Sequence, residues 1–263
     1  MIGLRSIIVA ASLLTACAGL RPLPPPAWPG TAEGEAVARD LFEASQGFNA
    51  YEVYELGGFG QPIRFALVRR HEAGSVQVRT LVLAPESVRG AGFLLRVSPG
   101  ERPVLLVVGP RSSAARVSSA VFLPGSGSAA SVASEVALPL LPDMFLHRLL
   151  PDAEVAGEAC LVLESRPVEA QRGLTTIVRS ISRRSGVALL THYYRGRHLA
   201  RSVTVLPEDV RETGGRFLPY RRSVWSAGGT RAEIILHRAI LDVDLPDRVF
   251  SERGLVTGTF PKL

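Results

Sequence analysis

Residues 157–205 read GEACLVLESRPVEAQRGLTTIVRSISRRSGVALLTHYYRGRHLARSVTV. Within its segments, apolar side chains recur at every second position, which is the period of a strand with one buried face. Short turns that contain glycine, at 184–186 and 195–197, separate the segments. No helix of about a dozen residues fits between them, so parallel strands joined by crossover helices are excluded. The stretch therefore predicts consecutive antiparallel strands.

The same pattern continues in both directions along the chain. Tight turns such as HEAGSVQV and VSPGERPV join further segments rich in valine, leucine and phenylalanine. The predicted strands are 64–70, 76–83, 93–97, 104–108, 159–167, 174–184, 187–195, 198–206, 217–225 and 231–243. This is a mainly β protein of about ten or eleven antiparallel strands.

Two segments interrupt the β pattern and have helical features. Residues 32–46 are predicted to form a helix, because Glu33 and Glu35 suit its positive end and Gly47 can close it. Residues 123–134, LPGSGSAASVAS, are small and predict a mobile loop. The apolar run after it predicts one or two short helices around 134–149, broken by its prolines. The inward-facing residues of this run are predicted to be Leu140, Leu141, Met144, Phe145 and Leu149.

The N-terminus has the features of an export signal. Arg5 precedes an apolar run that is too short to span a bilayer, and Leu14-Thr15-Ala16-Cys17 resembles the bacterial lipobox. The resemblance implies cleavage after residue 16, diacylglycerol on the Cys17 sulfur and an acyl group on its new amino terminus. The alternative is an ordinary signal peptide with a chance cysteine.

The residues after Cys17 predict a tether and then one domain. Residues 17–30 are rich in proline and are expected to be extended, and residues 31–263 form a single domain. Residue Ala18 is not acidic, which by resemblance to known lipoproteins favours the periplasmic face of the outer membrane. A disordered N-terminus without a role is the alternative reading of the tether.

The net charge limits the kinds of partner that we expect, and the cysteine content limits the possible disulfides. The net charge is +6, and cleavage would remove only Arg5 and leave +5. An exported chain does not meet nucleic acid, so anionic lipid head groups or an acidic protein face are the expected partners. Genomic base composition could also explain why arginine replaces lysine. Cys160 would be the only cysteine of the folded part, so no internal disulfide is possible and we expect a monomer held by its core.

The order of these features resembles a known family. A lipobox, a helix, about four strands, a helical interruption and a long β meander are similar to the LolA/LolB-like outer-membrane lipoprotein-sorting proteins, over roughly residues 31–255. The likeness is closest in residues 157–205 and in the ending HRAILDVDLPDRVFSERGL, residues 237–255. The middle departs from the family, because LPGSGSAASVAS stands where members often carry a loop like fmGsDfsyeD. The resemblance implies a half-open antiparallel barrel, covered by a few helices, with an apolar cavity for acyl chains.

Alternation along the strands predicts which residues would line such a cavity. Those residues are Leu140, Leu141, Met144, Phe145, Leu161, Leu163, Leu199, Val203, Val205, Ile234, Leu236 and Ile240. The strand from Leu174 is ambiguous, because Ile177 and Ile181 share a face with Arg179. A filled core would have the same pattern as a cavity, so both interpretations stay open.

Catalytic motifs are missing from the sequence. No pair of histidines has HExxH spacing, GSGS at 125–128 is not a nucleophile elbow, and no glycine-rich phosphate loop is present. His192 with His198 is interpreted as two exposed strand ends, and the pair Asp242 and Asp244 as solvated carboxylates on one face of a closing strand. We therefore expect no enzyme, no metal and no cofactor apart from the lipid on Cys17.

The sequence is consistent with two functions. The first is binding of lipid or lipoprotein acyl chains in sorting or transport, with a periplasmic carrier or a lipid exporter as partner. The second is a scaffold or sensor module of the cell envelope with a closed core and no cargo.

Overall fold

The computed structural model describes residues 29–72, 74–98, 101, 103–110, 115–117, 128–137, 140–168 and 174–261. The predicted signal peptide, Cys17 and nearly all of the tether lie outside these residues, as do residues 123–127 of the predicted loop. The division of the chain at residues 16 and 30 therefore stays a prediction. In the ranges just given, no helix has the length and apolar character needed to cross a membrane.

One antiparallel sheet of thirteen strands forms most of the protein. In chain order the strands are β1 Ala50–Gly57, β2 Ile63–Glu72, β3 Ser75–Ala84, β4 Gly92–Val97, β5 Val104–Val108, β6 Ala115–Val117, β7 Phe145–Val155, β8 Glu158–Pro167, β9 Thr176–Ser182, β10 Ala188–Arg195, β11 His198–Thr204, β12 Val210–Thr213, β13 Arg216–Pro219, β14 Arg221–Ser226 and β15 Arg231–Leu241. Across the sheet their order is β6-β5-β4-β3-β2-β1-β15-β14-β11-β10-β9-β8-β7, and β12 and β13 form a separate hairpin.

The predicted fold class is confirmed, since the pairing is antiparallel and the sheet stays open between its edge strands β6 and β7. The described ranges contain fifteen strands, more than the ten or eleven predicted. Strand β1 was not predicted, because Glu52 and Glu55 interrupt its apolar alternation. The predicted strand 217–225 is divided at Tyr220, which leaves its first part in the hairpin and its second in the main sheet.

Helix α1, Ala32–Gln46, has the predicted bounds. The Thr31 hydroxyl accepts a hydrogen bond from the Gly34 amide at 3.1 Å, which satisfies one of the free N–H groups of the first turn. Gly47 follows the last turn and donates its amide to the Glu43 carbonyl. The two other α-helices of the described ranges are α2, Ala129–Ala137, and α3, Glu252–Thr257.

The helices predicted around 134–149 are only partly present. Helix α2 ends at Ala137, a single 3₁₀ turn spans Pro142–Met144, and residues from Phe145 onward belong to β7. The prediction of helix at 145–149 was wrong. The apolar spacing there also fits a strand, and antiparallel pairing of residues 145–150 with β8 outweighs the local helical preference.

The inner face of the sheet, which carries α1 and α2, holds the main core. Fully or nearly fully buried side chains of many strands meet there, among them Leu56, Leu67, Val78, Ile177 and Ile234. Residues of α2 and the following turn pack against this cluster. Helix α1 lies against β7 and β8 at one end of the sheet.

The outer face of β2–β5 is covered by residues 245–260, here called the C-terminal segment. Val68, Leu94 and Leu106 are buried beneath it, together with Val249 and Leu255 of the segment itself. Both faces of this half of the sheet are therefore removed from water, which explains why β4 and β5 are almost continuously apolar.

Candidate functional site

A cavity of about 340 Å³ lies against the inner face of the sheet. Its walls come from α1, α2, the β12–β13 hairpin and the central strands. Apolar side chains supply much of the wall, namely Leu41, Phe42, Val136, Leu140, Val187, Val203, Val205, Phe217, Leu218 and Leu236. A space of this size is at the lower end of the roughly 300–1,000 Å³ typical of small-molecule sites.

The twelve residues predicted to line a cavity are distributed over several places. The structure brings together four of them at this cavity, Leu140, Val203, Val205 and Leu236. Leu141, Met144, Phe145 and Ile234 belong to the main core. Leu161 and Leu163 pack beneath α1. Leu199 and Ile240 are half-buried and belong to none of the apolar clusters. Their role in binding stays a prediction.

The cavity wall also carries charged side chains, which the predicted apolar lining did not include. Arg69 and Glu52 are both buried and their side chains come within 3.5 Å of each other. The Glu135 carboxylate accepts hydrogen bonds from Arg201 at 2.6 Å and from the Tyr193 hydroxyl at 2.7 Å. The one available signal was alternation, which places Glu52 on the same strand face as Tyr54 and Leu56.

Buried arginines attach α2 to the sheet. Arg201 is fully buried and donates to the Ser131 carbonyl at 2.9 Å and to the Ser131 hydroxyl at 2.6 Å, besides its pair with Glu135. Arg69 donates to the Val136 carbonyl at 3.2 Å. These charged hydrogen bonds hold α2 near its beginning, at Ser131, and near its end, at Val136, and so position one wall of the cavity.

A hydrogen-bonded chain runs from the cavity to the turn after α2. Arg179 donates to the Ser165 hydroxyl at 3.0 Å, Ser165 is 2.8 Å from Nδ1 of His147, and Nε2 of His147 is 3.0 Å from the Pro142 carbonyl. A carbonyl can only accept, so Nε2 carries the proton and Nδ1 accepts from Ser165. The chain therefore has a single consistent set of donors and acceptors.

Burial controls the ionisation of the groups near the cavity. Desolvation lowers the pKa of His147, the Pro142 hydrogen bond opposes that shift and the charge of Arg179 adds to it. Desolvation and the Glu135 carboxylate raise the pKa of Tyr193 well above its ordinary value. His147 and Tyr193 are therefore neutral at pH 7, and the charges around the cavity belong to arginines and glutamates.

Several solved structures share the architecture of this chain. A putative outer membrane lipoprotein-sorting protein domain from Vibrio parahaemolyticus matches with a TM-score of 0.73 and 16% identity, over 85% of this chain and 98% of that one. A DUF1329 family protein from Desulfovibrio piger matches with a TM-score of 0.73 and 19% identity, over 87% and 100%. A LolA superfamily protein from Nitrosomonas europaea matches with a TM-score of 0.62 and 17% identity, over 83% and 97%.

Searches by sequence find no relative. No protein-family model matches the chain, and no curated protein does. The likeness is therefore one of fold, at 16–19% sequence identity. The chain shares its fold with these three structures, which include a LolA superfamily protein and a putative outer membrane lipoprotein-sorting protein domain.

Proposed function

We propose that this protein is an envelope lipoprotein that binds acyl chains of a lipid or lipoprotein in the cavity on the inner face of the sheet. The observation that carries the proposal is the cavity itself, held between an antiparallel sheet and two helices, with apolar side chains beside charged ones in its wall. The fold supports it, because one protein that shares this fold is described as a lipoprotein-sorting domain. The site is a non-catalytic binding site in this proposal.

The cavity volume sets the scale of the cargo. Transfer of an acyl chain from water gains about 0.8 kcal/mol per buried methylene, so the burial of one chain is a strong driving force. About 340 Å³ suits part of a single chain rather than the three chains of a mature lipoprotein. A larger cargo would require α2 to move away from the sheet, and the hydrogen bonds of Arg201 and Arg69 are the contacts that would have to break.

The first experiment is native mass spectrometry of protein purified without detergent, which detects any lipid that co-purifies with it. The second measures how tightly the wild type and its variants bind a fluorescent fatty acid. Val203→Glu and Leu236→Arg place a charge at buried positions of the cavity wall and should abolish binding. Val168→Glu, at a side chain that is 52% exposed, is the matched control and should bind as wild type does.

A third variant covers the case in which the charged substitutions unfold the protein. Val203→Phe adds apolar volume into the cavity without a charge, and should weaken binding of the long-chain probe while circular dichroism stays that of wild type. Folded Val203→Phe and Val203→Glu proteins with unchanged binding would contradict the proposal.

The second candidate is a scaffold or sensor module without cargo. The observation that favours it is the buried network of Arg201, Glu135 and Tyr193, which fixes α2 against the sheet. If the purified protein repeatedly contains no lipid and does not bind the fluorescent fatty acid, the result would support a scaffold or sensor module.

A further inference from the structure

Arg179 is a buried cation with few partners in the wall of the cavity. Its side chain lies on the inner face of β9 with Ile177 and Ile181, and the residue is 7% exposed. Its only hydrogen bond within the described ranges is the one from Nη2 to the Ser165 hydroxyl, and its Nε is buried without an acceptor. No carboxylate oxygen of those ranges lies within 4 Å of its guanidinium.

A guanidinium in this position is under-satisfied. It has five N–H donors, and removing a cation from water is unfavourable unless anions or several acceptors replace the lost hydration. Burial lowers the pKa of Arg179 to about 10, so the group still carries its charge at neutral pH. Ser165 offers only its hydroxyl oxygen, because the hydroxyl proton is donated to His147.

The carboxylates of the cavity wall are already committed to other arginines. Glu52 pairs with Arg69, and Glu135 pairs with Arg201. The wall carries four arginines against two glutamates, a formal excess of two positive charges.

The two remaining arginines of the wall have neutral partners. Arg216 lies over the Phe48 ring, 4.5 Å from its centroid. Arg222 donates to the Pro219 carbonyl and lies 6.0 Å from the centroid of Tyr54. The cavity wall is thus positively charged, with an Nε–H of Arg179 that has no acceptor in the described ranges and apolar side chains beside it.

We infer that the cavity takes an anionic amphiphile, in which a carboxylate or phosphate group pairs with Arg179 while the attached acyl chain lies along Val203, Val205 and Leu236. The inference rests on the proposed function and adds to it the chemical class of the head group. Such charge complementarity would account for an arginine in the cavity wall at a position whose neighbouring inward residues on β9 are isoleucines.

The test uses four ten-carbon ligands that differ only in head group, each below its micelle concentration, with calorimetry on the processed full chain. Decanoate and decyl phosphate should bind at least ten times more tightly than decanol, and decyltrimethylammonium should bind more weakly than decanol. Acetate and inorganic phosphate, which carry the anion without a chain, should bind at least a hundred times more weakly than decanoate and decyl phosphate.

The variants assign the preference to a residue. Arg179→Met should reduce decanoate affinity to that of decanol and leave decanol binding unchanged, whereas Arg179→Lys should retain part of the preference. Arg183→Met is the matched control, because it removes the same charge from an exposed side chain just after the same strand. If Arg179→Met does not fold, the wild-type head-group series and Arg179→Lys still decide the matter.

The outcomes separate this inference from the proposed function. Equal affinity for all four ligands would overturn the anion site and leave acyl-chain binding standing. No binding of any ten-carbon ligand would overturn both. Tight binding of inorganic phosphate or acetate alone would show a small-anion site and overturn the amphiphile.

Discussion

At the residue scale, Arg79 shows how this fold holds a buried cation without a carboxylate. Its side chain is fully buried between the outer face of β3 and the C-terminal segment. It donates to the carbonyls of Val249 at 2.6 Å, Gly254 at 2.8 Å and Thr259, and lies 5.1 Å from the centroid of Phe260. One guanidinium thus donates to three carbonyls, of which that of Gly254 also accepts from the Thr259 amide.

The first prediction is that Arg79→Met lowers the free energy of unfolding by about 3 kcal/mol. The buried Val249 carbonyl would lose its Arg79 donor, which costs roughly 1–3 kcal/mol, and the carbonyls of Gly254 and Thr259 would each lose a charged hydrogen bond. Urea unfolding measures the change. Arg89→Met, which removes an arginine that is exposed and paired with Glu86, should cost less than about 1 kcal/mol. A loss at Arg79 no larger than the loss at Arg89 would contradict this account.

The second prediction concerns pH and His147. The pKa of His147 is lower in the folded protein than in the unfolded chain. Below about pH 6.5 the unfolded chain therefore binds more protons than the folded protein, and the free energy of unfolding decreases as the pH decreases. Above that pH both states are neutral and the effect vanishes. His147→Gln should therefore lose less stability than wild type between pH 7.5 and 5, as measured by urea unfolding.

His192 also has a pKa lowered by burial, but it is present in both proteins and cancels in that comparison. His198→Gln, at an exposed position of the same sheet, provides a reference substitution. An identical decrease of stability with pH in wild type and His147→Gln would show that His147 is not the group responsible.

At the element scale, α1 covers an edge of the sheet. The Thr31 amide donates to the His147 carbonyl at 2.7 Å, and the Glu35 carboxylate accepts from the His147 amide at 3.0 Å. Both backbone groups of His147 in the edge strand β7 are therefore occupied. Gly34 makes this approach possible, since a Cβ on it would stand 2.6 Å from backbone atoms of His147 and Arg148.

The third prediction follows from that distance. Gly34→Ala should destabilise the protein by about 1–3 kcal/mol through steric overlap, although alanine is favoured over glycine in helices by about 1 kcal/mol. Ala36→Gly, at an exposed position of the same helix, measures the propensity effect alone and should cost about 1 kcal/mol. Thermal unfolding of both variants measures the two effects. A Gly34→Ala protein more stable than wild type would show that α1 can shift away from β7.

The elements differ in how well the sequence predicted them, and each difference has a local cause. Helix α1 has its capping threonine, acidic first turn and closing glycine within the sequence itself, so its bounds were predictable. The hairpins around Gly186 and Gly196 were predictable for the same reason. Strand β7 was not, because its partner β8 and not its own residues determines its conformation.

The cavity was the least predictable feature. Alternation identifies inward-facing residues such as Val203 and Ile234. Whether these residues line a cavity or a filled core depends on how α1, α2 and the hairpin pack on the sheet. The buried ion pairs could not be predicted from the sequence either. Strand pairing brings Arg69 and Glu52 together, and helix packing brings Arg201 and Glu135 together.

At the scale of the whole molecule, the predicted lipid anchor at Cys17 would determine where the cavity works. The fourth prediction is that Cys17 carries lipid and holds the protein in the outer membrane. Cells fed a labelled fatty acid should label the wild-type protein and the Cys160→Ser variant, in which a buried free thiol is replaced. Cys17→Ser should lose the label and leave the membrane fraction. An unlabelled wild-type protein would show that the anchor is wrong.

The contacts of Arg79 also bear on when this chain can fold. Its partners lie 170, 175 and 180 residues further along the sequence, and β1 in the middle of the sheet pairs with β15. During synthesis the outer apolar face of β2–β5 therefore has no cover until almost the whole chain has emerged. Contacts of such long range form slowly, because loop closure must precede them. We therefore expect the chain to stay unfolded until the C-terminal segment has been synthesised, which would suit the predicted export, because a secretion channel carries unfolded chains.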